Sequence, residues 1–235
     1  MIDIQLTDAL SYLKTIKDNS IDLILTDPPY LISKDSNFTS GGGAKKFQGI
    51  SFDFGEWDKK DFKLDLIIKE YKRVLKKGGT IIVFYDFFKI TELYNLYIKN
   101  KFKQLRIIEW IKTNPVPINA KINYLSGVRE IALVGVKGSN NTFNSYCDKG
   151  IYHYPIPHSK SRTKNGIKHP TKKPLKLFED LILKHSNEGD IVLDTFLGSG
   201  TTAQAAINTN RIFKGCEINK DYYEAFLLDI LNKNK

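Results

Sequence analysis

The chain has 235 residues, of which 41% are hydrophobic, and this is enough to bury the core of one globular domain. It contains no apolar run of about eighteen residues, and it begins with acidic residues where a signal peptide is basic, which predicts a cytoplasmic protein without a membrane span. Because Cys147 and Cys216 belong to no C-x-x-C pair, neither a metal site nor a disulfide framework is expected.

The net charge of +10 and the isoelectric point of about 9.3 favour a polyanionic partner. The cations cluster at residues 158–176, HSKSRTKNGIKHPTKKPLK, a stretch that contains no acid. We expect Lys160, Arg162 and Lys164 to contact the phosphates of a nucleic acid. A polybasic loop that is merely solvated is the alternative.

Short apolar runs alternate with helical periods along the chain, a pattern typical of an α/β sheet with crossover helices. Strands are predicted at residues 2–6, 21–26, 80–85, 106–111, 130–136, 190–194 and 212–216. Helices are predicted at residues 9–16, 62–76, 88–99, 175–185, 202–208 and 221–231. LKKGG at 75–79 is expected to stop the second helix, whereas residues 33–61 and 138–169 fit neither pattern.

An apolar strand in LILTDPPYLI, residues 23–32, ends on Asp27, Pro28, Pro29 and Tyr30. The simplest interpretation is a strand cap, because prolines lack the N–H group that a sheet needs. A binding site is the alternative, because open α/β sheets bind ligands at the carboxyl ends of their strands. The motif alone leaves both interpretations open.

A second motif, DIVLDTFLGSGTTAQAA at residues 190–206, runs from a strand through a glycine loop into a helix. Its glycines allow a ligand to approach closely, and Thr201 or Thr202 is expected to cap a helix that offers N–H groups to an anion. The loop also fits the dinucleotide pattern G-x-G-x-x-A, and Glu217 lies nineteen positions after Gly198, where a ribose-binding acid belongs. An NAD-dependent dehydrogenase, another adenosine-cofactor enzyme and a structural turn all fit this motif.

The two motifs together resemble those of the amino-group DNA methyltransferases that use S-adenosylmethionine. Their order matches the β arrangement of that family, in which the catalytic DPPY motif precedes the cofactor loop. Further matches are TDAL at 7–10, GGTIIVF at 78–84, WIKTNPVP at 110–117, HPTKKP at 169–174 and FKGCEIN at 213–219. The resemblance covers nearly the whole chain, with Thr195 as a departure from the usual proline.

This resemblance implies a single α/β domain over residues 1–235, a Rossmann-like methyltransferase fold whose mostly parallel twisted sheet carries helices on both faces. It divides the chain into a catalytic half at 1–137, a target-recognition insertion at about 138–168 and a cofactor-binding half at 169–235. The implied substrate is double-stranded DNA and the cofactor is S-adenosylmethionine, with no metal. A restriction-modification system with a cognate endonuclease, and a homodimer, are also expected.

By the same resemblance, Asp27 and the carbonyl of Pro28 accept hydrogen bonds from the target amine, Pro29 helps to fix the chain, and Tyr30 stacks on the extruded base. The implied cofactor contacts are Asp8, Ala9, Asp27, His169, Thr171, Asp194, Phe196, Gly198, Ser199, Gly200, Thr201, Thr202 and Glu217. Trp110, Lys112 and Asn114 are expected on the target-base side. Structural alternatives are a helix cap for Asp8, a basic loop residue for His169 and a core position for Trp110.

Several rival functions fit the sequence less well. A cytosine-carbon methyltransferase needs a nucleophilic cysteine, typically after proline, but Cys147 follows tyrosine and Cys216 follows glycine. RNA and protein-glutamine methyltransferases normally place the glycine loop first, and a dehydrogenase would leave DPPY unexplained. We expect methylation of adenine, and the cytosine amine is the main alternative. In the family that the chain resembles, DPPY serves both bases, whereas SPPY is more typical of enzymes that act on cytosine. The base-reading residues are expected at about 138–162, with the loop at 33–57 as a further candidate.

Overall fold

The structure is a computed structural model that describes residues 2–29, 63–115, 127–158, 163–164, 167–168 and 172–233. Its centre is an eight-stranded sheet with the strand order β1-β10-β9-β2-β3-β5-β4-β6. These strands are β1 (Ile2–Leu6), β2 (Ile21–Thr26), β3 (Leu75–Tyr85), β4 (Lys103–Lys112), β5 (Arg129–Val136), β6 (Ile151–Tyr154), β9 (Ile191–Asp194) and β10 (Ile212–Glu217). A separate hairpin consists of β7 (Thr163–Lys164) and β8 (Ile167–Lys168).

Among the described residues, six helices cover the two faces of the sheet. They are α1 (Ala9–Thr15), α2 (Leu64–Val74), α3 (Ile90–Lys99), α4 (Leu175–His185), α5 (Thr201–Asn208) and α6 (Lys220–Lys233). The first three helices contribute to one apolar cluster, and the last three contribute to another. Ile24 and Leu25, neighbours in β2, belong to different clusters, as expected when successive strand residues point to opposite faces.

The sheet is mostly parallel. Within it, only the pairings of β5 with β3 and with β4 are antiparallel among the described strands. The predicted architecture, a mostly parallel sheet with helices on both faces, is therefore confirmed. The continuous apolar runs of β2 and β9 agree with it, because parallel strands are covered on both faces.

Strands β2 and β9 are neighbours in the sheet, and the order in which the chain adds strands reverses between them. From β2 the chain proceeds to β3 on one side, whereas from β9 it proceeds through α5 to β10 on the other. Such a topological switch point opens a crevice at the carboxyl ends of the strands, where ligands bind in this type of sheet. Asp27 follows β2 at this point, and the glycine loop follows β9.

The predicted elements differ from the observed ones at the end of the second helix and within residues 138–169, where β6, β7 and β8 were not predicted. The second helix ends at Val74 with Leu75 as its cap, so LKKGG begins β3 and does not stop the helix as predicted. Strand β6 was not predicted, because its four residues form a strand by pairing with β4 and carry little pattern of their own. The division at 137 and 168 stays a prediction.

Candidate active site

Asp27 lies at the carboxyl edge of the sheet, directly after the last residue of β2. Its side chain is 22% exposed, and its Oδ2 atom is 2.7 Å from Nζ of Lys173. Pro28 is buried and Pro29 is half-buried, so the chain beyond the carboxylate packs against the domain. The Asp27 carboxylate is therefore anchored by an ion pair while part of it remains accessible from outside.

The ion pair of Asp27 extends into a row of alternating charges. Nζ of Lys173 is also 2.7 Å from Oε2 of Glu130, and Oε1 of Glu130 is 2.8 Å from Nζ of Lys112. Burial works against the charge of Lys173, but the carboxylates of Asp27 and Glu130 outweigh it and raise the pKa of the ammonium. Burial likewise opposes the charge of Glu130, and the two lysines outweigh it and lower the pKa of that carboxyl.

Asp194, the last residue of β9, joins the two motifs. Its Oδ1 atom accepts hydrogen bonds from the Thr26 hydroxyl at 2.6 Å and from the backbone N–H of Phe196 at 3.0 Å. Its Oδ2 atom accepts from the Thr202 hydroxyl at 2.6 Å. Burial raises the pKa of Asp194 to about 6, against these hydrogen bonds, and the charge of Asp27 adds to the rise. One buried carboxylate thus ties β2, the glycine loop and α5 together.

The glycine loop is held by Glu217 at the end of β10. The N–H of Gly198 donates to Oε2 of Glu217 at 2.7 Å, and the N–H of Asn219 donates to Oε1 at 2.8 Å. Glu217 is buried, which raises the pKa of its carboxyl against the effect of these N–H groups. Because a carboxylate has about four lone-pair positions, these two bonds leave room for further donors.

The helix after the loop begins differently from the sequence prediction. Its N-cap is Gly200, in the left-handed conformation with φ of 74°, and not Thr201 or Thr202. The hydroxyl of Thr202 donates to Asp194, and that of Thr201 is 3.0 Å from the Ser199 hydroxyl. The expectation that one of these threonines caps the helix was therefore wrong, because both side chains have partners elsewhere.

Asp8 and Ala9 lie where β1 passes into α1, beside the end of β10. Oδ1 of Asp8 accepts from the N–H of Ser11 at 2.9 Å and so caps α1, the structural alternative considered for it. The adjacent Thr7 N–H donates to the carbonyl of Glu217 at 3.0 Å. Asp8 is therefore close to the glycine loop, and its contact with the cofactor stays a prediction.

The residues predicted on the target-base side have structural partners. Trp110 is only 1% exposed, and its Nε1–H donates to the carbonyl of Tyr154 at 2.8 Å, so it is a core residue and does not present its ring to a base. Oδ1 of Asn114 accepts from the N–H of Ile156 at 2.6 Å and holds the segment after β6. Lys112 belongs to the row of charges with Glu130.

Other predicted site residues fall outside the part of the chain that the structure describes. Tyr30, Lys160, Arg162, His169 and Thr171 lie outside the described residues, and only the backbone of Lys164 is described. Within the described ranges, no group of three or more His, Cys, Asp or Glu residues could hold a metal ion. No described helix is both long and apolar enough to cross a membrane.

The sequence alone predicts no role for Lys173 or Glu130. Lys173 is part of HPTKKP and is one cation of the basic stretch at 158–176. Glu130 stands at the start of an apolar strand, where an acid that becomes half-buried is unusual. An acid at the start of an apolar strand is the sequence signal that could have identified Glu130 as a candidate site residue.

At the switch point of the doubly wound sheet, a carboxylate and two prolines lie beside a glycine loop that Glu217 secures from the next strand. This is the arrangement expected of an amino-group methyltransferase. Residues 21–228 match the N6_N4_Mtase family of DNA methylases. The chain therefore belongs to this family, and the DNA methyltransferase activity expected from its motifs is confirmed.

Individual relatives resemble nearly the whole chain. It is 32% identical over 239 residues to the Type II methyltransferase M2.DpnII of Streptococcus pneumoniae, covering 92% of this chain and 84% of the relative. It is also 32% identical over 234 residues to the Type II methyltransferase M2.MboI of Moraxella bovis, and this match covers 92% of this chain and 83% of the relative. The protein in the crystal structure of the M1.HpyAVI–SAM complex is 30% identical in sequence, with a TM-score of 0.70. The match covers 96% of this chain and 98% of that protein. The Rossmann-like methyltransferase fold is thereby confirmed.

Proposed function

We propose that this enzyme transfers a methyl group from S-adenosylmethionine to the exocyclic amine of adenine in double-stranded DNA. One observation carries the proposal: Asp194 joins the amine site, which is Asp27 with the prolines that follow it, to the glycine loop that would bind the cofactor. Asp194 accepts hydrogen bonds from Thr26 on one side and from Thr202 on the other. Membership of the DNA methylase family and the SAM-bound relative M1.HpyAVI support it.

The residues after β9 and β10 suit this cofactor chemically. Buried Glu217 has lone pairs for ribose hydroxyls, and the first turn of α5 offers backbone N–H groups to the methionine carboxylate. Phe196, Gly198, Ser199, Gly200 and Thr201 line this loop, with Asp8 and Ala9 at the neighbouring strand end. His169 and Thr171 complete the proposed cofactor contacts.

The chemical task of the protein is to make a poor nucleophile react. The lone pair of the adenine amine is delocalised into the ring, whereas S-adenosylmethionine supplies an already activated methyl group. Asp27 and the carbonyl of Pro28 each accept an N–H of the amine, which draws its nitrogen toward tetrahedral geometry and stabilises the positive charge that develops. The fixed φ angles of Pro28 and Pro29 hold that carbonyl in place, and Tyr30 stacks on the extruded base.

The partners follow from the charge of the chain and from its relatives. The net charge of +10 and the basic stretch at 158–176 suit a DNA backbone, with Lys160, Arg162 and Lys164 on the phosphates. The names of M2.DpnII and M2.MboI place them among Type II methyltransferases. We therefore assign this enzyme to a restriction-modification system with a cognate endonuclease, and we expect a cytoplasmic homodimer whose base-reading residues lie in 138–162.

The test is transfer of tritiated methyl groups to double-stranded DNA, followed by digestion to nucleosides. Label in N6-methyl-2′-deoxyadenosine is expected, and methylation-aware sequencing then reads the recognition site. Label in N4-methyl-2′-deoxycytidine would replace adenine by cytosine, and DNA without label would contradict the proposal. Calorimetry supplies a second arm, in which binding of NAD but not of S-adenosylmethionine or its demethylated product would contradict the cofactor assignment.

A further inference from the structure

Lys173 is a buried cation fixed by three separate parts of the chain. Its side chain is 6% exposed, and its Nζ atom is 2.7 Å from both Asp27 after β2 and Glu130 in β5. The same ammonium lies over the ring of Phe84 in β3, 5.5 Å from the centroid. Phe84 in turn stacks on Phe178 of α4, the helix that begins just after Lys173. The position of the Lys173 ammonium is therefore set by the core and not by solvent.

Stability does not explain this arrangement well. Taking an ammonium and its carboxylate partners out of water is costly, and apolar residues of similar volume commonly replace such groups with no loss of stability. The apolar neighbours Phe84 and Phe178 would accommodate an apolar side chain at this position. The Lys173 ammonium contacts Asp27, the partly exposed carboxylate at the switch point, and this placement points to a role in the reaction.

The signs of the neighbouring charges suit that role. A lone ammonium beside Asp27 would oppose the positive charge that develops on the target amine. Glu130 offsets this effect, because two carboxylates flank Lys173 at equal distances and leave a net negative charge on the three groups. The second lysine on Glu130, Lys112, lies one ion pair further from Asp27.

We propose that Lys173 is a positioning residue that holds Oδ2 of Asp27 and so orients the carboxylate toward the target amine, with Glu130 holding Lys173 in turn. This inference rests on the function proposed above, since the amine is the group that Asp27 would polarise. Lys173 acts through Asp27 and does not itself touch the reacting atoms.

Lys173→Met removes the charge and keeps the length of the side chain. We expect its single-turnover rate of methyl transfer to DNA to fall about 10- to 100-fold, the scale of a misplaced reacting group. Affinity for the demethylated cofactor product should stay within about twofold, because the loss concerns orientation and not uniform binding. The matched control is Lys76→Met, which breaks the 2.7 Å ion pair with Asp22 at the opposite end of β2 and should keep the parental rate.

A double-mutant cycle with Asp27→Asn separates positioning from a structural role. If Lys173 acts through Asp27, Lys173→Met should slow the Asp27→Asn enzyme by less than about threefold, because the group that it orients is already impaired. An equal loss in both backgrounds, or a parental rate for folded Lys173→Met, overturns the inference. Should Lys173→Met not fold, Glu130→Gln replaces it: a slower rate with unchanged cofactor affinity is expected, and the parental rate overturns the inference. A parent enzyme that labels no DNA would instead refute the proposed function.

Discussion

The hydroxyl of Thr26 donates a 2.6 Å hydrogen bond to Oδ1 of Asp194, so the last residues of β2 and β9 are joined at their carboxyl ends. The next residue after Thr26 is Asp27, and the chain after Asp194 is the glycine loop. Both buried partners belong to regular strands, which hold their positions more firmly than loops do. The distance between the amine site and the cofactor loop is thereby fixed by the sheet.

The buried carboxylate of Asp194 should make the stability of the protein depend on pH. Its pKa is raised to about 6, above the value of an unfolded chain, so the native state binds the proton more tightly between about pH 4 and 6. This group therefore destabilises the ionised protein at neutral pH, and the penalty is relieved as the pH falls through 6. Asp194→Asn keeps acceptors for Thr26 and Phe196 without the charge. We compare the free energy of unfolding of Asp194→Asn with that of the parent at each pH. This difference should favour the variant by roughly 1 kcal/mol more at pH 7.5 than at pH 5.0.

Urea unfolding of both proteins at the two pH values measures this difference. The comparison with the parent is needed because His185 acts in the opposite direction, since burial lowers its pKa to about 4. A histidine that is neutral in the native state contributes stability that is lost as the pH falls from its unfolded value toward 4. The same difference between variant and parent at both pH values would show that the pKa of Asp194 is not raised.

The main elements of the sheet could be predicted because their patterns are local. The apolar runs of β2 and β9 mark strands buried on both faces, and the polar residues that follow mark their ligand-facing ends. By contrast, Lys173 joins Asp27 to Glu130 only after β5 and α4 are placed in the fold, and no short stretch of sequence contains all three. The position of Trp110 was ambiguous for a similar reason, because its partner, the Tyr154 carbonyl, belongs to the unpredicted strand β6.

Gly200→Ala should destabilise the protein strongly. The residue has φ of 74°, and an added Cβ would lie 2.1 Å from the ring of Phe226, a buried core residue. Left-handed backbone costs a non-glycine residue about 1 to 2 kcal/mol, and overpacking adds about 1 to 3 kcal/mol. The matched control is Gly189→Ala, since Gly189 has φ of 81° but nothing within 4 Å of the added atom. Urea unfolding should show a clearly larger loss for Gly200→Ala, and equal losses would mean that the Phe226 contact is relieved cheaply.

Glu217→Ala should weaken binding of the cofactor. It removes the proposed acceptor for the ribose hydroxyls and also the partner of the Gly198 N–H, so the loop loses an anchor. Hydrogen bonds to a charged acceptor contribute about 1.5 to 3 kcal/mol, which corresponds to roughly a 10- to 150-fold rise in the dissociation constant. Calorimetry with the demethylated cofactor product measures this constant. Glu188→Ala, at an exposed position before β9, serves as the control that should bind normally. Unchanged affinity in folded Glu217→Ala would leave Glu217 a purely structural residue.

Asp27→Ala tests the proposed chemistry directly. If the carboxylate polarises the target amine, its loss should reduce the single-turnover rate of methyl transfer by about 10²- to 10³-fold, the scale for one preorganised charge-stabilising group. The fold and cofactor affinity should be largely retained, because Asp27 is partly exposed and the cofactor loop is held by Asp194 and Glu217. Removing Asp27 breaks its ion pair with buried Lys173 and leaves the pair between Lys173 and Glu130, so circular dichroism and urea unfolding must accompany the assay. Asp22→Ala is the matched control, since it removes an ion-paired aspartate of β2 at the opposite edge of the sheet. A folded, cofactor-binding Asp27→Ala enzyme that methylates DNA at the parental rate would show that the amine is activated by other groups.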